Sequence, residues 1–160
     1  MATQSNTAAN LQKELHLTRI FDAPREVVFQ AWTDAKQLAR WWGPKGFTNP
    51  VCEIDPRPGG AINIHMHAPY GEVYPMGGVF HEITPPDRIV FTSKAFMDGK
   101  GNAELEVMNT ITFAEHNGKT KLTLHAKVVK ATPMTAQALS GMDQGWNESL
   151  DRLAALVANA

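Results

Sequence analysis

The chain has 160 residues, 43% of them hydrophobic and 19% charged, with a formal net charge of -1. That length and balance suit one compact globular domain, and the lack of a Lys/Arg block removes the electrostatic footprint that nucleic acid or an anionic membrane surface needs. Cys52 is the single cysteine, which excludes an intrachain disulfide and a cysteine-based zinc cluster and points to a reducing compartment, most simply the cytoplasm.

Met1 to Asn10 is small and polar with nothing to bury, and residues 1–13 are expected to be a disordered tail ahead of one domain over 14–158. They carry no basic segment followed by an apolar run, and no stretch of about 18 apolar residues occurs anywhere, so neither secretion nor membrane insertion is expected. Glu14 to Phe21 alternates imperfectly and reads as a strand. Pro24 suits a first helical turn, and Val27, Val28, Ala31 and Trp32 make the apolar face of a helix of about ten residues. Asp34 with Gln37 resembles a capping box for a second short helix through Trp41, which Gly43 and Pro44 stop.

The period then changes to two. Val51 to Ile54 is a short strand, and in Ile62 to His67 the apolar Ile62, Ile64 and Met66 alternate with Asn63, His65 and His67. Val73 to Ile83 is the next strand, where Gly77 and Gly78 suggest a bulge. Arg88 to Ser93 follows a Pro-Pro-Asp turn, and a loop is expected over Phe96 to Asn102. In the following strand Leu105, Val107, Asn109, Ile111 and Phe113 share a face on which Asn109 alone is polar. A turn at His116, Asn117 and Gly118 leads into Lys121 to Val128.

From Pro133 to Ala158 the apolar residues Leu139, Met142, Trp146, Leu150, Leu153 and Val157 recur at steps of three and four, which predicts one long amphipathic helix of roughly 24 residues and about 36 Å. Gln137, Asp143, Gln144, Asn147, Glu148, Asp151 and Arg152 fall largely on its other faces and are expected to meet water. About seven strands in an antiparallel meander would offer one apolar face to the helix stripe. A sheet curled around a helix cannot fill the whole interval, so a cavity between them is expected.

Several segments, read as they stand, resemble one known family: FDAP from Phe21, AWTDAKQLARWWGP from Ala31, Gly59 and Gly60 with Met66, HEITPPDRIVFT from His81, and GWNESLDRLAALV from Gly145. Together they resemble the family of homologues of the activator of the heat-shock-protein-90 ATPase, within the START-like, birch-allergen-like helix-grip (SRPBCC) superfamily. The resemblance covers about Glu14 to Val157. It implies an α+β helix-grip fold, a curved antiparallel sheet on a C-terminal helix, with an internal pocket that members use for hydrophobic ligands or, less often, for catalysis. Eukaryotic cochaperones of this name carry a separate N-terminal domain where this chain has a polar tail of about 13 residues, which weighs against a chaperone partner.

Trp41, Trp42 and Phe47 beside Gly43, Pro44 and Gly46 read either as a pocket mouth or as bulk closing the core. Met142 and Trp146 lie next to Gly141 and Gly145, which leave room either for a ligand or for close helix packing. Asn109 is either a pocket hydrogen-bonding group or one satisfied by backbone. The expected lining is Trp42, Phe47, Ile64, Met66, Phe80, Val107, Asn109, Ile111, Met142 and Trp146, around a small hydrophobic or aromatic molecule, without a cofactor. An enzyme of cyclase, hydratase or hydrolase type would need Asn109, Glu82 or His67 in the same pocket, and a chaperone-interaction module is the third reading. No nucleophile elbow, P-loop or dinucleotide fingerprint occurs. His65, His67 and His81 lie opposite the apolar face with no HExxH or carboxylate partner, so no metal is expected there. An exposed sheet face or edge could make a homodimer.

Overall fold

A computed structural model describes residues 13–97, 100 and 102–158. The expected tail, apart from Lys13, lies outside the described residues. Seven strands, β1 (Glu14–Phe21), β2 (Thr48–Ile54), β3 (Ala61–His67), β4 (Val73–Thr84), β5 (Arg88–Met97), β6 (Ala103–His116) and β7 (Lys119–Ala131), form one sheet in the order β1-β7-β6-β5-β4-β3-β2. Every neighbouring pair is antiparallel. Strands β2 to β7 make the meander, and β1 returns beside β7 as an edge. Two short helices, α1 (Arg25–Thr33) and α2 (Ala35–Trp41), bridge β1 and β2.

Period-two alternation decides which face is covered. Val107, Ile111 and Phe113 of β6 and Leu122, Leu124, Ala126 and Val128 of β7 are buried on one face, with Ile62 and Ile64 of β3 continuing it. Against this face lies the C-terminal helix α4 (Met142–Ala158), whose Leu150, Leu153 and Val157 are fully or nearly fully buried. Each such leucine contributes about 1.5–3 kcal/mol by leaving water. An ion pair between Arg19 of β1 and Asp151 ties the helix to the sheet edge. Among the described residues no helix is long and apolar enough to cross a membrane.

The fold departs from the sequence expectations in four places. The C-terminal segment is not one helix: a 3-10 turn (Pro133–Thr135) and a short helix α3 (Ala136–Ser140) precede α4. The Gly141 N–H donates to the Ala138 carbonyl at 3.3 Å, a tighter turn than the α-helix makes, and Gly145 N–H resumes α-helical bonding to the Gly141 carbonyl at 2.9 Å. Ser140 and Gly141 are poor helix formers in sequence, which is why the break falls there. The bulge of β4 lies between Phe80 and Glu82, at His81, and not at the glycines. Gly78 instead permits close strand approach, since a Cβ there would stand 2.1 Å from the Thr92 carbonyl oxygen. Strand β5 runs on through Met97, into the expected loop, whose residues 98, 99 and 101 lie outside the described set. Asp34 caps α2 through its side chain and the Lys36 N–H, while Gln37 bonds the Asp34 side chain and does not complete the reciprocal box.

Candidate functional site

Between the covered sheet face and the start of α4 the two surfaces separate and leave a cavity of about 610 Å³. The sheet contributes Met66 from β3, Tyr74 and Met76 from β4, Ser93, Ala95 and Phe96 from β5, and Leu105, Val107 and Asn109 from β6. The helical side contributes Ala138, Gly141, Met142, Gly145, Trp146 and Ser149. A Cβ built on Gly145 would meet nothing within 4 Å, so glycine at this position widens the cavity and does not serve close packing. Met142 and Trp146 are half-buried while Leu150 and Leu153, on the same stripe, are fully buried. The first pair faces the cavity, the second the solid core.

One end of the cavity is closed by Trp42, Gly43 and Pro44. Gly43 has φ +95°, a left-handed conformation that a side chain disfavours, and it turns the chain sharply after Trp42. Trp146 packs edge-on to Trp42 with ring centroids 5.5 Å apart and stacks on Trp32 at 6.1 Å, and Trp32 meets Trp41 at 4.7 Å. All four tryptophans of the chain thus form one cluster at this end. The turn is held by polar groups from far along the chain. Arg152 Nη1 donates to the carbonyls of Trp42, Gly43 and Pro44 at 3.0–3.1 Å, and its Nη2 donates to the Arg40 carbonyl at 3.0 Å. Asn49 Nδ2 donates to the carbonyls of Ala39 and Trp42, and the Lys45 N–H donates to Glu148 Oε1 at 3.0 Å. A positive guanidinium set at the C-terminal end of α2 also complements that helix's dipole. Partial burial pulls Arg152 below its ordinary value, yet guanidinium stays charged in proteins.

The polar part of the wall is small. Asn109, 1% exposed, donates through Nδ2 to the Val107 carbonyl at 3.1 Å, to Ser93 Oγ at 3.2 Å and to the Phe91 carbonyl at 3.4 Å. Its Oδ1 is buried without a partner among the described residues. At the rim, Tyr70 and Tyr74 share a hydroxyl contact at 2.8 Å and Tyr74 donates to Glu72 at 3.0 Å. These hydrogen bonds, that to Tyr70 first, push the Tyr74 phenol above its ordinary value. Among the described lining residues there is no carboxylate, imidazole, amine, guanidinium or thiol.

Of the residues expected to line the pocket, Trp42, Met66, Val107, Asn109, Met142 and Trp146 lie on the cavity wall. Ile64, Phe80 and Ile111 lie in the solid core at 4% exposure or less, and Phe47 packs against Tyr74 at 6.1 Å without reaching the cavity. Trp41 is core, its indole N–H donating to the Ala31 carbonyl at 2.9 Å. Glu82 faces outward and pairs with Arg88, and neither it nor His67 is on the wall. Arg152, expected in water, is instead bound to the α2 end. Asn49 and Arg152 were not marked by the sequence: their partners are backbone carbonyls, which carry no residue signature.

The family described as Activator of Hsp90 ATPase homolog 1-like protein matches residues 22–158. The chain belongs to that family. Solved structures agree with the membership. A protein from Chromobacterium violaceum is 30% identical, with a TM-score of 0.76 over 90% of this chain and 96% of that one. One from Nitrosomonas europaea is 26% identical with a TM-score of 0.77, covering 94% and 96%. An AHSA1 protein from Silicibacter pomeroyi is 26% identical with a TM-score of 0.76, covering 91% and 98%. No match is found among curated proteins. The family match begins at Asp22, so β1 lies ahead of it, and it includes the α2 turn, the bulged β4 and all of α4.

Proposed function

We propose that the protein binds a small, uncharged, hydrophobic or aromatic molecule in the cavity between sheet and helix. The observation that carries this reading is the wall itself: about 610 Å³ of space lined by Trp42, Met66, Met142, Trp146 and other largely apolar groups, whose polar side-chain members are hydroxyls, one amide and the two indoles. A charged ligand entering such a site would lose its hydration without gaining an ion partner, whereas an apolar one gains about 25 cal/mol for each Å² removed from water. The volume lies within the range typical of small-molecule sites. Ser93 and Asn109 supply a polar spot that can orient a ligand carrying one hydroxyl or amide group.

A homodimer formed through the β1 or β2 edge would leave the cavity intact, because no described lining residue lies on either strand. A cytoplasmic setting fits a chain with a single cysteine, a half-buried one whose thiol is pushed up to about 11 by burial.

Intrinsic fluorescence tests the reading, because Trp42 and Trp146 both border the cavity. Titration with a panel of neutral aromatic and aliphatic compounds is expected to give a saturable change for at least one neutral member. Its carboxylate analogue of the same size is expected to bind at least about tenfold more weakly, since burying a charge without a partner costs well over 1.4 kcal/mol. Equal response to charged and neutral members, or no saturable response from any neutral one, would overturn it.

A further inference from the structure

On the sheet face opposite the core, the β1–β7 register places His16 directly across from His125. The two imidazoles stack with centroids 4.4 Å apart and planes inclined by 11°. Glu14, two residues before His16 and therefore on the same face, reaches across to His125 with Oε1 at 3.0 Å from Nε2. The donor atoms of all three side chains lie within 4.8 Å of one another.

We propose that Glu14, His16 and His125 form a surface site for a late first-row divalent metal ion, with Zn²⁺ as the reference ion, and that the ion clamps edge strand β1 to β7. Two imidazoles and a carboxylate are the donor set that Zn²⁺, Ni²⁺ and Cu²⁺ accept, with open positions left for water. Tetrahedral bonds of about 2.0–2.1 Å set neighbouring donors roughly 3.4 Å apart. Glu14 Oε1 and His125 Nε2 already stand within that spacing, at 3.0 Å, so the main adjustment is for the exposed His16 ring to tilt out of its stack and aim a nitrogen lone pair at the same point, a movement that side-chain rotation supplies. Lys127 stands opposite Glu14 and is the positive charge that the carboxylate must offset, so the affinity is moderate. The site is separate from the cavity and does not depend on what the cavity binds. In sequence His125 lies 111 positions after Glu14, and the strand register alone brings it to Glu14 and His16.

Calorimetric titration of the tag-free full chain with ZnCl2 tests the site. The expected result is one saturable ion per chain, a rise in Tm with added Zn²⁺, and, with Ni²⁺ as a paramagnetic probe, broadening centred on backbone amides of residues 14–18 and 123–127. His16→Ala and His125→Ala are each expected to weaken binding by about tenfold or more through loss of a ligand, while His65→Ala leaves it unchanged. Circular dichroism checks that the variants are folded, and Glu14→Gln, which keeps size and surface exposure, gives an independent loss. Absence of saturable binding, or binding that survives His125→Ala, or broadening centred on His65 and His67, would overturn the proposal.

Discussion

Asn109 has two amide hydrogens shared among three acceptors, and two of those acceptors are carbonyl oxygens that can only accept. The amide is therefore oriented with nitrogen toward Phe91 and Val107, and rotating it would set oxygen against oxygen. Asn109→Asp makes that exchange without changing shape. The variant is expected to lose about 3 kcal/mol at neutral pH, combining lost donors with a buried, unpaired charge. Its new carboxyl would have a folded-state pKa raised above the unfolded value of about 3.9. Stability then falls as pH rises from that value through the folded pKa, because the folded state holds the proton longer. Urea unfolding at pH 4 and pH 7 checks it: a smaller deficit at the lower pH is expected, and an equal or larger one at pH 4 would count against this hydrogen-bond assignment. The sequence marks Asn109 plainly, as the polar residue on an apolar strand face. Its partners are not marked, since they come from a neighbouring strand and from backbone.

Arg152 connects two elements, α2 and α4, through four carbonyls from Arg40 to Pro44. The contact fixes the turn that carries Trp42, so it sets one wall of the cavity. Arg152→Ala is expected to cost about 2–3 kcal/mol, as loss of hydrogen bonds to a charged donor, and to shift Trp emission to the red as Trp42 loosens. Arg152→Lys keeps the charge but loses the planar fork and is expected to recover only part of the stability. Chemical denaturation followed by fluorescence reads both, and full stability of the alanine variant would show that the fork is ornamental. Helical periodicity located α4 and its Leu150–Val157 anchor from sequence alone. Periodicity also sent Arg152 to solvent, because it describes one helix by itself and says nothing of an α2 end about 110 residues upstream. Continuity of the apolar stripe across Gly141 likewise masked the break, since Leu139 and Met142 keep their spacing while the backbone between them tightens.

Across the molecule, the seven-stranded sheet and α4 meet closely at one end of the helix and part at the other. Close contact gives the Leu150, Leu153 and Leu124 core, and separation gives the cavity beside Met142 and Trp146. Strand number, face alternation and the presence of a covering helix follow from residue pattern, so this architecture was legible. Where the cavity stops was not: Ile64, Phe80 and Ile111 share faces with lining residues but are buried in the core instead, and face alternation alone does not say which residues of a face are covered by side chains of the helix and which by empty space. Register across the sheet, which aligns His16 with His125, is equally a property of the assembled molecule.

The space beside Gly145 is where we propose that an uncharged apolar molecule sits. Gly145→Leu is the test, because a Cβ added at this lining position meets nothing within 4 Å and the rest of the side chain would take up cavity space. Binding of the neutral fluorophore N-phenyl-1-naphthylamine is measured for the wild type and for this variant at matched fold stability. The wild type is expected to bind saturably, and the variant to bind at least about tenfold more weakly, a difference of 1.4 kcal/mol or more, with an unchanged or higher Tm from removal of a helical glycine. Equal binding by both proteins, or no binding by the wild type, would contradict the account.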